Sequence, residues 1–334
     1  MIAQEPREPR DAARLLVLHR ATGRIEHRIF RDLPEYLRPP DCLVVNTTRV
    51  IPAKFTCRRV TGGRIEGLFI REEGLGRWVV LMAGSGRLKA AERLTTSSPD
   101  YSLTFLERRD RGECLVEVVP PWSAAQVLQA IGEAPLPPYI HRDPHRPAEL
   151  VRRDLLRYQT IYAKEAGAVA APTAGMHFTA ELCRRLEEGG ITFAEVVLHV
   201  GLGTFQPVEV DDLRDHPMHR EWFSLSSATV ARVEAARAAG GRCVAVGTTS
   251  VRVLETCAAS GPLHPQSGWT NLCIYPPYTF RVTDALVTNF HLPGSTLLAL
   301  VFAFAGRDQT MHAYETAIRE QYRFYSYGDA MLIV

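Results

Sequence analysis

Apolar positions along this chain follow two different rhythms, and the rhythm changes with position. Short unbroken apolar runs at residues 15–18 and 43–46 predict buried strands. From about residue 58 to 120 the runs stay short: 64–71, 77–83, 102–107 and 113–119. They are rich in β-branched, aromatic and aliphatic residues and are separated by Gly, Asp or Ser turns. No good helix lies between them, so they predict a small antiparallel barrel. A proline-rich connector follows at 135–147.

After Tyr158 the pattern alternates between helix and strand. Residues 180–188 predict a helix, with Phe178, Leu182 and Leu186 on one face and Gly189-Gly190 as its stop. Strands are expected at 191–200, 242–246, 271–275 and 285–289, and helices at 229–239, 250–258, 295–305 and 311–322. The alternation of Tyr325 and Tyr327 suits a C-terminal strand. The expected class is α/β: a large domain with a mixed, largely parallel sheet plus an inserted small antiparallel β-barrel domain. The α/β catalytic domain is expected to be discontinuous, at 1–57 and 136–334, with the barrel-like insert at 58–135.

Composition narrows the class without naming a function. The chain has 334 residues, 46% hydrophobic and 23% charged, as in an ordinary globular protein. A net charge of +2 argues against a protein that coats nucleic acid, so any RNA contact must be a local patch. Seven scattered cysteines without a C-x-x-C pair read as reduced thiols. The charged N-terminus lacks an apolar signal core. The most apolar run, 297–305, is about half the ~20 residues that span a bilayer. A cytoplasmic protein with no membrane partner, and a monomer, is expected.

Four dense loops carry the candidate chemistry. GAVAAPTAGMHFT (167–179) packs Thr173, Gly175 and His177 together just before a helix start. HVGLGTF (199–205) offers His199, Gly201 and Gly203, but only G-x-G, which is too little for a dinucleotide fingerprint. VGTTSVR (246–252) places Thr248, Thr249 and Arg252 between a strand end and a helix start, where free N–H groups favour an anionic or oxygen-rich ligand. TNFHLPGST (288–296) adds Asn289 and His291. Each loop also has a plainer reading, as a tight turn or a capped helix with a surface side chain. His177 and His291 are each open to a structural or a proton-transfer role. HPMHRE (216–221) lacks the zincin order, and no metal is expected. Arg142, Arg152 and Arg157 stand in a basic stretch beside Tyr139 and Tyr158. It reads either as a phosphate contact or as a solvated face balanced by Asp143, Glu149 and Asp154.

Taken together, several stretches resemble one family. NTTRVIPAKF (46–55), PLPPYI (135–140), RYQTIYA (157–163), GAVAAPTAGMHFT, LHVGLGTFQPV (198–208), HPMHRE, VAVGTTSVRVLE (244–255), DALVTNFHLPGSTLLALVFAFAG (284–306) and YRFYSYGDAM (322–331) run in family order. The chain resembles the S-adenosylmethionine:tRNA ribosyltransferase-isomerase family of queuosine biosynthesis. Members usually begin further upstream, carry Asn or Asp where Thr47 stands, and carry Gly where Pro277 stands.

The resemblance implies transfer and rearrangement of the ribosyl part of S-adenosylmethionine onto the 7-aminomethyl-7-deazaguanine base at the tRNA wobble position. Epoxyqueuosine-tRNA forms, and adenine and methionine leave. S-adenosylmethionine is consumed as a co-substrate, and no permanently bound cofactor is implied. Placed on that chemistry, His177 is the favoured acid or base, His291 the second, and Asp329 a group that orients a base. Thr173, Thr248, Thr249 and Arg252 would bind ribose oxygens or the methionine carboxylate. Gly175, His199, Gly201, Gly203 and Asn289 would also line the substrate site. Phe178, Phe205 or Tyr275 would stack adenine, and Asn46 and Arg49 would hold substrate or shape the sheet edge. The anticodon is expected near the cleft between the two domains, helped by Arg142, Arg152 and Arg157. Two rival classes are an S-adenosylmethionine-dependent RNA methyltransferase and a non-catalytic tRNA-binding homologue.

Overall fold

A computed structural model describes residues 2–143, 145–201, 203 and 208–334. The chain divides into two compact units: Met1–Arg49, Pro137–His141 and Gln159–Val334 form the first, Val50–Leu136 and Arg142–Tyr158 the second. The second unit takes in a helix, Ala148–Arg157, that lies beyond the 58–135 span expected for the insert.

A nine-stranded mixed sheet builds the first unit. Its centre is parallel: Thr192–Leu198 pairs with Cys42–Asn46, which pairs with Cys243–Val246, which pairs with Ala285–Asn289. The flanks are mixed. Ala330–Ile333 runs antiparallel to Ala285–Asn289 and parallel to Arg14–His19, and the hairpin partner Arg24–Ile29 forms one edge. Glu221–Leu225 and Gln266–Thr270 form the other edge by antiparallel pairing. The central strands carry short, nearly unbroken apolar runs, and every residue of Cys42–Asn46, Cys243–Val246, Ala285–Asn289 and Ala330–Ile333 is buried. Strands covered on both faces need such runs.

The helix Ala180–Glu188 spans the expected residues, capped by the Thr179 hydroxyl accepting from the Leu182 N–H at 3.1 Å. It buries Leu182 and Leu186 in a core with Phe30, Phe178, Val45 and Val246. Helices Ser227–Ala238, Thr248–Cys257, Thr296–Ala305 and Arg307–Arg319 complete the unit.

Two expected strands are corrected. The segment 271–275 is irregular, and the edge strand lies just before it, at Gln266–Thr270. The Thr270 hydroxyl accepts from the Leu272 N–H at 3.1 Å and the Leu272 carbonyl accepts from Arg252, which turns the backbone out of the sheet. Tyr325 and Tyr327 belong to a turn, with Tyr325 at φ 73°, and the last strand starts only at Ala330.

The second unit holds a closed six-stranded antiparallel barrel. Its strands are Lys54–Arg59, Arg64–Gly74, Arg77–Met82, Glu113–Val119, Ser102–Arg108 and Glu92–Thr96, and the last pairs back to the first through Cys57 and Thr96. Phe55, Trp78, Leu94, Leu103, Phe105 and Val116 fill it. Closure removes sheet edges, so short strands suffice. All seven cysteines are free thiols. No helix among the described residues is long and apolar enough to cross a membrane.

Candidate active site

The four central strands are parallel, so their carboxyl ends share one side of the sheet, which is where open α/β sheets place ligands. A cavity opens there, with about 670 Å³ of empty space that includes some open solvent. Its wall takes Val200 from beyond one strand, Gly247, Thr248 and Thr249 from another, and Thr288 to Leu292 from a third. Ala171 to Ala174 and Tyr325-Ser326 close it.

Local sequence explains these positions. Gly247 sits at φ 88°, a left-handed conformation that glycine adopts freely, and it turns the Cys243–Val246 strand directly into the Thr248–Cys257 helix. The first N–H groups of that helix have no intrahelical partner. The Asn46 side chain fixes this turn from the neighbouring strand. Its amide donates to the Leu198 carbonyl at 3.0 Å and to the Thr249 hydroxyl at 3.1 Å, and its oxygen accepts from the Leu198 and Thr48 N–H groups at 3.1 Å. Asn46 is buried with all these bonds made, so it shapes the strand ends and does not itself line the cavity. Asn289 plays a related part. Its oxygen accepts from the Thr173 hydroxyl at 2.9 Å and its amide donates to the Tyr325 carbonyl at 3.2 Å, tying three cavity loops together.

His291 is half-buried in the cavity wall. Its Nε2 and the Thr288 hydroxyl are 2.7 Å apart, and its backbone N–H donates to the Tyr314 hydroxyl at 2.8 Å. Nδ1 has no hydrogen-bond partner among the described residues. Burial pushes the imidazole pKa down to about 4, so the ring is neutral near pH 7.

His177 has a different setting. It is buried and absent from this cavity. Nδ1 faces the Ala174 carbonyl at 3.1 Å and Nε2 faces the Gly328 carbonyl at 3.0 Å. The ring stacks on Phe30 with centroids 5.0 Å apart. Burial lowers its pKa against the opposing pull of the two carbonyls and Asp329. Asp329, fully buried, accepts from the Arg14 N–H at 3.0 Å and the Arg323 N–H at 2.7 Å and so holds the loop that carries Gly328.

The remaining expected residues scatter. Phe178 is fully buried in the core, edge-on to Phe30, and cannot stack a ligand; this corrects the expectation. Tyr275 lines no described cavity that the Thr loops share, and Phe205 lies outside the described residues. Gly175 gives room to Tyr162, whose hydroxyl oxygen would stand 2.1 Å from an added Cβ. His199 stacks on Trp222 at 5.1 Å and shares a 2.8 Å hydrogen bond with the Thr48 hydroxyl, and burial lowers its pKa. Gly201 donates its N–H to Glu221 at 2.7 Å, while Gly203 and Arg252 line a second cavity. Arg49 is exposed. In the second unit, Arg142 is committed to the buried Asp154 at 2.9 Å, Arg152 is exposed and Arg157 is half-buried.

Sequence reasoning left out Tyr139, Thr288, Ser295, Tyr325 and Ser326, all in the cavity wall. The Tyr139 and Ser326 hydroxyls lie 2.7 Å apart, and the Tyr139 and Tyr325 rings are 4.9 Å apart. The signal available was Ser326, a polar residue inside an aromatic run that packing alone does not explain. The left-handed φ of Tyr325 is uncommon for a bulky side chain, and such strain gathers at functional sites.

A family model described as queuosine biosynthesis protein matches residues 1–333. S-adenosylmethionine:tRNA ribosyltransferase-isomerases of Symbiobacterium thermophilum and Moorella thermoacetica are each 50% identical to the chain, over all of it and 96% of the relative. The crystal structure of an S-adenosylmethionine tRNA ribosyltransferase from Thermotoga maritima matches at 40% identity with a TM-score of 0.56, covering 100% of this chain and 96% of that one. The chain therefore belongs to the queuosine biosynthesis family of ribosyltransferase-isomerases, enzymes of the transferase class.

Proposed function

We propose that this enzyme transfers and isomerises the ribosyl moiety of S-adenosylmethionine onto the 7-aminomethyl-7-deazaguanine base at the tRNA wobble position. Epoxyqueuosine-tRNA is the product, and adenine and methionine are released. The observation that carries the reading is one wall that joins a neutral imidazole, His291, to the hydroxyls of Thr173, Thr248 and Thr249 at the end of a parallel sheet. Full-length similarity to named ribosyltransferase-isomerases supports the same reaction class.

The chemistry asks four things of such a wall. A base must remove the proton from the ribose carbon that the sulfonium acidifies. With Nε2–H donating to Thr288, the Nδ1 lone pair of His291 is available for that step. A pKa near 4 makes His291 a weak base, so the acidity of the carbon and close positioning carry most of the advantage. The ribose hydroxyls need donors and acceptors, which Thr173, Thr248, Thr249 and Asn289 supply. Adenine needs a flat surface and a proton as it leaves; Tyr139 and Tyr325 offer the surface, and protonated His291 returns the proton. The acceptor amine must be neutral, and its base must be unstacked from the anticodon to reach the cavity. His177 and Asp329 are positioning residues for the loops at residues 173–177 and 325–329. Arg152 and Arg157 contact tRNA phosphates.

The test is one reaction of purified protein, S-adenosylmethionine and tRNA bearing the aminomethyl base, followed by mass analysis of tRNA and small molecules. Epoxyqueuosine with free adenine and methionine is the expected result. S-adenosylhomocysteine with a methylated tRNA would replace the reading by a methyltransferase. tRNA binding with both substrates unchanged would replace it by a non-catalytic binder. Charge reversal at Arg152 and Arg157 is expected to weaken tRNA binding and flatten its salt dependence.

A further inference from the structure

A second cavity adjoins the first, and Leu297 lines both. It holds about 470 Å³ of empty space, again including open solvent. Its floor is a buried ion pair. Arg252, 7% exposed, donates from Nη1 to Glu221, 4% exposed, and from Nε to the Leu272 carbonyl at 3.1 Å. Arg252 Nη2 is buried and has no hydrogen-bond partner among the described residues. A buried guanidinium donor is costly to leave unpaired, and an anionic group entering the adjoining cavity would satisfy it. Met218, Ile274, Leu297 and Leu300 give the same cavity an apolar side.

The placement relative to the first cavity is fixed by one helix. Thr248 and Arg252 are four residues apart in Thr248–Cys257, so they share a face about 6 Å apart along the axis. A ligand whose ribose meets Thr248 can therefore extend a short chain past Leu297 and end at Arg252.

We infer that the cavity at Arg252 and Glu221 is the amino-acid subsite for the methionyl tail of S-adenosylmethionine. The α-carboxylate binds Arg252 Nη2, Glu221 supplies the counter-charge for the α-ammonium, and the methylenes lie against Leu297 and Leu300. This rests on the reading that S-adenosylmethionine is the co-substrate. It differs from a site in which the carboxylate meets the Thr248-Thr249 helix start.

Calorimetric titration of the purified enzyme tests it with three probes: S-adenosylmethionine, its decarboxylated analogue, and 5′-methylthioadenosine. The wild type is expected to prefer S-adenosylmethionine over the decarboxylated analogue by about 10–100-fold, the effect of a charge-assisted hydrogen bond. Arg252→Gln is expected to shrink that preference to under about threefold and to leave 5′-methylthioadenosine affinity unchanged. Arg252→Lys, which keeps the charge, should retain part of the preference. Equal wild-type affinity for the first two probes overturns the subsite and leaves the reaction standing. Equal weakening of all three probes by Arg252→Gln makes Arg252 a structural residue and also overturns it. No binding of S-adenosylmethionine by the wild type overturns the functional reading, and the subsite with it. The wild-type comparison can overturn the subsite on its own even if the variants fail to fold, and the Arg252 variants separate it from a carboxylate site at the Thr248-Thr249 helix start.

Discussion

His177 and His291 sit in loops of nearly the same composition, yet their surroundings differ in kind. Both are flanked by small and hydroxyl-bearing residues, and burial lowers both pKa values. His291 lines the cavity, shares one nitrogen with a hydroxyl and leaves the other without a partner among the described residues. Both nitrogens of His177 face carbonyls of two loops, one of which a neutral ring can donate to, and its face stacks on Phe30. A proton carrier needs a nitrogen left over for substrate; a strut needs none. Counting the partners of each nitrogen separates the two roles where sequence context does not.

The largest expected effect breaks or confirms that contrast directly. His291→Ala should lower kcat by about 10²–10⁴-fold in single-turnover assays with saturating S-adenosylmethionine and modified tRNA. Turnover within about threefold of wild type would remove His291 from proton transfer. His177→Ala should act on the fold instead. Losing the stacked ring and the one hydrogen bond that a neutral imidazole donates to a carbonyl should cost about 2–4 kcal/mol in denaturant unfolding, with kcat of the folded fraction kept within about tenfold. A stable His177→Ala enzyme with no turnover would reverse the two assignments.

Smaller effects sharpen the picture. Asn46→Ala leaves the Leu198 backbone and Thr249 without partners and should destabilise by about 1–3 kcal/mol, with a raised KM for S-adenosylmethionine as Thr249 is released. An unchanged KM would detach Thr249 from ribose binding. Thr173→Val removes one hydroxyl at constant shape and should raise KM about three- to tenfold, roughly 1 kcal/mol. The gentlest probe is pH. The unfolded chain takes up histidine protons near pH 6.5, whereas folded His291 does so only near pH 4. Its contribution to stability is therefore full above about pH 6.5 and is lost as pH falls toward 4. NMR titration of the His291 ring should show a midpoint well below 6.5; a midpoint at or above that value would mean the ring is solvated.

Much of the fold was legible because its signals are local. The apolar runs at 43–46 and 285–289, the Gly189-Gly190 stop and the short strands of the barrel all announce themselves within a few residues. The failures came where a distant partner overruled the local pattern. The segment 271–275 looks like a strand, but Arg252 and Thr270 turn it. Tyr325 and Tyr327 alternate like a strand, but Tyr325 closes a cavity wall in a left-handed turn. Arg142 stands in a basic stretch, yet its charge is taken by Asp154 within the same unit.

Sequence alone determined the class of fold, the four polar loops and, through the order of its motifs, the family. Those depend on periodicity, turn chemistry and the identity of residues, all of which are written along the chain. Only the tertiary structure decided which members of the loops share a cavity. Thr173, Thr248, Asn289 and His291 converge because parallel strands bring their carboxyl ends together. Phe178, from the same loop as Thr173, turns into the core, and His177 turns to a separate small cavity beside Tyr327 and Gly328. Neighbours in sequence point to opposite sides of a turn, and the packing behind each one settles whether it meets ligand or core.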